Sequence, residues 1–222
     1  MWLLGFESAG YRGGAGLGRD GQVVSARYIE GRGVFARHLV ELAQALIAEA
    51  DITPADLAAV AVGIGPGSLT GLRIGLSAAA GLAYAIGRPA VPLGNLEILA
   101  FKHRRPGTEI APWLQAGAER IYYALYRAAA GDIAETVAPK CGSPESALGE
   151  LGQPALTVLG GGASRHEPLI RARHPQATVE LDDLGLVEAM VELGFIRLDQ
   201  GCGIAPERLQ PLYLRDLDLQ RP

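Results

Sequence analysis

GIGPGSLTGLRIGLSAAAGLAYAIG, Gly63 to Gly87, joins a buried strand to a long helix with hardly a polar face. The run Leu57 to Ile64 before it is continuously apolar, as in a strand covered on both sides. Gly65-Pro66-Gly67 makes a tight turn, and Ser68 or Thr70 can cap the helix by accepting a bond from an orphan N–H. The helix runs to about Ile86, where Gly87 and Pro89 stop it. Small residues recur at every fourth position: Gly71, Gly75, Ala79, Ala83. They share a face. Leu72, Leu76 and Tyr84 read as one apolar row beside it, and Ile74, Leu82 and Ile86 as another. A glycine inside a helix costs about 1 kcal/mol relative to alanine. Close approach of another backbone would offset that cost. The bare face therefore fits either the chain's own sheet or a second helix. Arg73 and Ser77 argue against a membrane helix.

Upstream, Met1 to Phe6, Gly13 to Leu17 and Gln22 to Ile29 read as strands, with Asp20-Gly21 as a hairpin turn. Val34 to Ala50 has helical spacing of Phe35, Leu39, Leu42, Leu46 and Ile47. Downstream come a short strand, Ala90 to Leu93, and a helix, Asn95 to His103. Antiparallel strands followed by helical crossovers are the order of an actin-like, ribonuclease-H-like half. Arg104 to Gly107 reads as a linker. The pattern then restarts: strands at Ile110 to Gln115, Arg120 to Arg127 and Asp132 to Ala138, a strand at Leu156 to Leu159, a helix at Ser164 to Arg173 and a strand at Thr178 to Leu181. Asp182 or Asp183 would cap a last helix, Leu184 to Leu198. The expected fold is α/β with two actin-like subdomains, 1–103 and 104–222, the second smaller and degenerate.

The 222 residues carry a net charge of −4, which speaks against a large nucleic-acid surface acting alone. Cys141 and Cys202 have no metal spacing, and a reduced cytosolic protein is expected. No apolar run is long enough to span a membrane. His38, His103, His166 and His174 form no pair at ligand spacing, so neither a metal nor a catalytic residue is assigned. Glu7 ends the first strand, where an actin-like enzyme places a catalytic or metal-binding carboxylate; otherwise a lone Glu before a turn is a solvated or capping group. Gly160-Gly161-Gly162 follows a strand and precedes a helix, as a nucleotide-contacting turn does; otherwise it is a loop needing positive φ.

The run Gly65-Pro66-Gly67-Ser68-Leu69-Thr70-Gly71-Leu72-Arg73-Ile74-Gly75 resembles the TsaB (YeaZ) family of bacterial tRNA threonylcarbamoyladenosine biosynthesis proteins. That family reads Gly-Pro-Gly-Ser-Phe-Thr-Gly-Val/Leu-Arg-Ile-Gly here. Its late Pro-x-Tyr-Leu-Arg matches Pro211-Leu212-Tyr213-Leu214-Arg215, and the opening hairpin and Arg32 align. The match is dense from Asp51 to Ala100 and collinear elsewhere. The resemblance implies a catalytically inactive actin-like protein that binds the catalytic subunit TsaD. With the ATPase TsaE, the two modify the adenosine next to the anticodon of tRNAs that read codons starting with A. It implies pairing through helices of the first half, hence partner binding by Gly71, Leu72, Gly75, Leu76, Ala79 and Ala83. It further implies a homodimer when TsaD is absent, indirect contact with tRNA, no membrane, and a cytoplasmic place. No cofactor is expected on the chain alone, with ATP or ADP at the interface of the complex. Candidate nucleotide-binding positions are Glu7, Ser8, Gly160 and Gly161. The chain departs from the family at Glu7-Ser8-Ala9-Gly10, at Val34 where a histidine is usual, and at Gln115-Ala116-Gly117 where Asp-Ala-Arg is usual. These departures bear on nucleotide or metal positions of catalytic relatives. The alternative is an actin-like ATPase or a glycoprotease-type enzyme.

Overall fold

Trp2–Glu7 (β1), Arg12–Arg19 (β2) and Gln22–Glu30 (β3) form the opening meander in the computed structural model, which describes residues 1–31, 34–151, 156–182 and 185–214. Asp20 and Gly21 have φ of 52° and 84°, the two positive values a two-residue hairpin of type I′ requires. The helix Phe35–Glu49 (α1) buries Phe35, Leu39, Ala43, Leu46 and Ile47, close to the expected stripe. Leu57–Gly65 (β4), Leu69–Ala85 (α2), Ala90–Gly94 (β5) and Asn95–Lys102 (α3) follow as read. The sheet order is β3-β2-β1-β4-β5, with β1, β4 and β5 parallel.

The second half repeats this order in full. Glu109–Gln115 (β6), Ile121–Ala128 (β7) and Ile133–Gly142 (β8) are the meander, and Leu156–Leu159 (β9) and Thr178–Glu180 (β10) run parallel to β6 in the order β10-β9-β6-β7-β8. The sheet is thus not degenerate. What shrinks is its helical cover: Pro144–Leu148 (α4), Gly161–Arg165 (α5) and Glu167–Arg173 (α6). The single helix expected from Ser164 to Arg173 is broken at His166, and Pro168 sits in the first turn of α6.

Alternation along the strands sorts side chains into layers. On β1 and β4, Leu4, Phe6, Val60 and Val62 face α1 and α2, while Leu3, Ala59 and Ala61 face the other way. There they meet α3 and the last helix, Val187–Asp199 (α7), with Ile110, Ala124 and Tyr126 of the second sheet beneath. Trp113, Tyr123 and Val158 form a third core with α4 to α6. The glycines that weaken β2 as a strand have a reason here. A Cβ on Gly16 would sit 2.6 Å from Val187, and one on Gly18 would sit 2.5 Å from Val191. Glycine lets α7 lie flat on the sheet.

The expected boundary at 103/104 separates the two sheets, but the chain then crosses back. α7 packs on the first sheet, Ile204 and Ala90 exchange two backbone bonds at the β5 edge, and the Leu212 N–H donates to the Ile64 carbonyl at 2.8 Å. The last helix is α7, Val187–Asp199; Asp183 and Leu184, where its cap and start were expected, lie outside the described residues. Its N-cap is Leu186, without a side-chain cap. Asp182 instead pairs with Lys102 at 2.8 Å and His103 at 2.9 Å.

Arg197 ties these layers together. Its Nε donates to Glu97 at 2.8 Å and its Nη1 to Asp132 at 2.9 Å, from a side chain only 13% exposed. Removing the guanidinium strands two sheltered carboxylates. Arg197→Met is expected to cost about 1–3 kcal/mol, read as a Tm roughly 3–10 °C lower in a thermal melt.

Candidate functional site

Everything of interest gathers where β1 ends and α2 begins. Glu7 and Ser8 are each 1% exposed, so Glu7 is neither a solvated nor a surface capping group. Glu7 Oε1 accepts from the Ala9 amide at 2.8 Å and from Asn95 Nδ2 at 3.0 Å. Asn95 Oδ1 in turn accepts from the Gly65 N–H at 2.8 Å. Ser8 Oγ donates to the Gly71 carbonyl at 2.8 Å, and the Ser68 N–H donates to the Ala9 carbonyl at 2.8 Å. Of the two cap candidates, Ser68 is the one used: its hydroxyl accepts from the Gly71 N–H. The exit of β1 therefore clamps the first turn of α2. Burial pushes the Glu7 carboxyl up to about 7, with the Ala9 amide, the Asn95 side chain and the Ser8 amide pulling the other way.

A cavity of about 500 Å³ opens on this network, lined by Glu7, Tyr11, Asn95, Gln115 and Tyr122 among others. A second, of about 710 Å³, shares Tyr11, Ser68 and Gln115 with it and reaches Phe35, Thr70 and Ile74. Those three also line a groove of about 550 Å³ between α1 and α2. Hollow thus follows hollow from Glu7 to the outer face of the helix pair.

The six expected partner-binding residues lie elsewhere. Gly71, Leu72, Gly75, Leu76, Ala79 and Ala83 are all buried within the chain. A Cβ on Gly71 would stand 1.9 Å from the Ser8 carbonyl oxygen, and one on Gly75 would stand 2.3 Å from Ser8 Oγ. The bare ridge seats α2 on its own sheet, the first of the two readings the sequence left open. Tyr84 does not continue the row of Leu72 and Leu76. It is 69% exposed, being about 120° round the helix from Leu72 at 3.6 residues per turn. The outward arc holds Thr70, Arg73, Ser77, Gly81, Tyr84 and Ala85, with Val40 of α1 half exposed beside the groove.

Gly160 and Gly161 are not drawn to Glu7 and Ser8. They follow β9, as the N-cap and first residue of α5, and neither lines the cavity at Glu7. Gly160 has φ 93°, and its Cβ would lie 2.7 Å from the Trp113 carbonyl oxygen, so the fold itself calls for glycine there. Gln115, Ala116 and Gly117, which stand where Asp-Ala-Arg was expected, all line the cavity. Arg32 lies outside the described residues, as does Arg215. Among the described residues no three His, Cys, Asp or Glu side chains converge as a metal set, and no helix is long and apolar enough to cross a membrane. The residue that sequence reading missed is Asn95, the hub of the Glu7 network. Its only sequence signal was its position as the first residue of α3.

Comparison with known proteins adds the family. The family model described as TsaD: tRNA N6-adenosine threonylcarbamoyltransferase matches residues 34–175. A Bacillus subtilis protein named tRNA threonylcarbamoyladenosine biosynthesis protein TsaB is 28% identical over 62% of this chain and 60% of its own length. The Haemophilus influenzae protein of the same name is 27% identical over 71% and 70%. YeaZ from Pseudomonas aeruginosa superimposes with a TM-score of 0.80 at 25% identity, covering 96% of this chain and all of that one. This chain belongs to the TsaB/YeaZ family. The TsaB/YeaZ likeness extends over both actin-like halves, including the α7 crossing, and not only over the glycine-rich stretch.

Proposed function

We propose that this chain is a non-catalytic accessory subunit of threonylcarbamoyl transfer to tRNA, docking through the outward arc of α2 and the adjoining face of α1 onto a TsaD-type transferase. The acceptor is the adenosine next to the anticodon of tRNAs reading codons that begin with A, with TsaE as the ATPase of the system and the cytoplasm as its place. The names of the TsaB relatives and the TsaD family match support the role.

The observation that carries the docking face is Gly81. It lies exposed within α2, and a Cβ there would meet nothing within 4 Å. Nothing in the described fold offsets its cost of about 1 kcal/mol. A partner helix pressed against it would. Ser77 and Ala85 keep the surroundings low, and Tyr84 and Val40 supply apolar area beside them. Without TsaD, two copies of this chain would pair by the same face, and the two assemblies would compete. tRNA is contacted through the partner, and ATP or ADP belongs at the junction of the complex.

Gly81→Leu is expected to leave the monomer folded and to weaken binding to the TsaD-type partner at least tenfold in calorimetry. Unchanged affinity would remove the face from the interface. Reconstituted transfer to tRNA should require this chain. ATP turnover by the chain alone, lost in Glu7→Ala, would restore the reading as an actin-like ATPase.

A further inference from the structure

The cleft beside β1 holds an acid with no countercharge among the described residues. Glu7 is 1% exposed, and its hydrogen bonds from Ala9 and Asn95 both fall on Oε1. The elements around it are β2, β4, the first turn of α2 and the start of α3. The groups acting on its carboxyl are the Ala9 and Ser8 amides just after β1 and the Asn95 side chain at the start of α3, none of them charged. Of the described residues lining the 500 Å³ cavity, Glu7 alone carries charge, and none lining the neighbouring 710 Å³ cavity does. A polyphosphate entering here would meet a carboxylate and, among the described residues, no lining cation. A cation would meet the opposite: a carboxylate held only by neutral donors, the amide of Gln115, and the rings of Tyr11 and Tyr122 along the same walls.

We propose that this cavity binds an ammonium or guanidinium group, with the Glu7 carboxylate as its counter-ion. The volume suits a small ligand or the end of a long side chain. Two sources supply that chemistry. One is a free amine. The other is a Lys or Arg side chain of a protein docked at the α1–α2 groove, whose lining meets that of the second cavity at Phe35, Thr70 and Ile74. This second source rests on the docking reading above; the first does not.

Binding requires the ionised carboxyl. Because burial lifts that group to about 7, occupancy releases a proton, and affinity falls as pH drops, by about a hundredfold between pH 8 and pH 5.

The test has two arms. In the first, the chain alone is titrated with agmatine and with spermidine at pH 8 and pH 5, while carboxyl ¹³C NMR follows Glu7. Saturable binding at pH 8, a lowered Glu7 titration midpoint when saturated, and loss of at least tenfold in affinity in Glu7→Gln support the free-amine source. Glu145→Gln, at an exposed position of α4, should bind as wild type does. In the second arm, the TsaD-type partner is titrated near pH 6.5 in two buffers of different ionisation heat. Proton release in wild type, absent in Glu7→Gln, supports the side-chain source. No partner binding at all overturns the docking reading and leaves the first arm standing. Amine binding unaltered in Glu7→Gln, or a Glu7 midpoint moved by neither amine nor partner, overturns the proposal.

Discussion

Gly71→Ala is expected to destabilise the protein by about 3 kcal/mol or more, while Gly81→Ala in the same helix stabilises it by about 0.5–1 kcal/mol. Both changes add one methyl to a helical glycine, and propensity alone would make both favourable. The surroundings separate them. At Gly71 the new carbon would lie 1.9 Å from the Ser8 carbonyl oxygen, a backbone atom fixed in the β1 exit. Relief requires α2 to lift, and lifting breaks the bond from Ser8 Oγ to the Gly71 carbonyl and loosens Leu76 and Ala79 from their core. At Gly81 the carbon points into open space. Urea unfolding of the two variants checks the pair. Equal shifts would mean that α2 does not rest on β1 as closely as the structure has it. The same geometry forbids Gly75→Leu as a probe of partner binding, since it would damage the fold first.

Glu7→Gln is expected to raise stability by about 2–3 kcal/mol at pH 8 and to change it little at pH 4. The folded protein holds the carboxyl at about 7, above its ordinary 4.5. Above pH 7 the native state carries a buried, unpaired charge that the unfolded chain solvates freely. As pH falls from 7 towards 4.5, the native state takes up its proton before the unfolded chain does, so wild-type stability increases on acidification. Below 4.5 both states are protonated and the difference is flat. Glutamine keeps an oxygen for the Ala9 and Asn95 donors without the charge. Unfolding at pH 4, 6 and 8 traces the curve. A variant no more stable than wild type at pH 8 would mean that the carboxylate is solvated in the native state. An acid kept against such a cost is a reason to look for what it holds.

Local chemistry made much of this legible in the sequence. The Asp20-Gly21 hairpin, the apolar run of β4 and the capped start of α2 are short-range signals, and the structure has them where the residues put them. Orientation was less legible. A helix apolar on nearly every side does not say which side is inward, and the small residues that looked like a docking ridge face Ser8 and the sheet. Exposed Gly81 was in plain view, yet its meaning depends on what lies within 4 Å of it. The strand read at Gly13 to Leu17 is present, but its pattern did not show that its glycines serve a helix far along the chain, at Val187 and Val191. Glu7 read either as an actin-like site carboxylate or as a capping group, because no local signal shows that Asn95, itself held by Gly65, closes over it.

The crossing of α7 has a consequence for synthesis. The five strands of the first sheet leave the ribosome well before Val187 does. At about 5–20 residues per second, the roughly 100 residues between β5 and the end of α7 take on the order of 5–20 s. Throughout that interval the nascent chain presents Leu3, Ala61 and Leu93 without the Met190 and Phe195 that later shield them. The glycines of β2 leave that waiting surface smooth as well as apolar, so the half-made protein is most prone to aggregate just before α7 emerges.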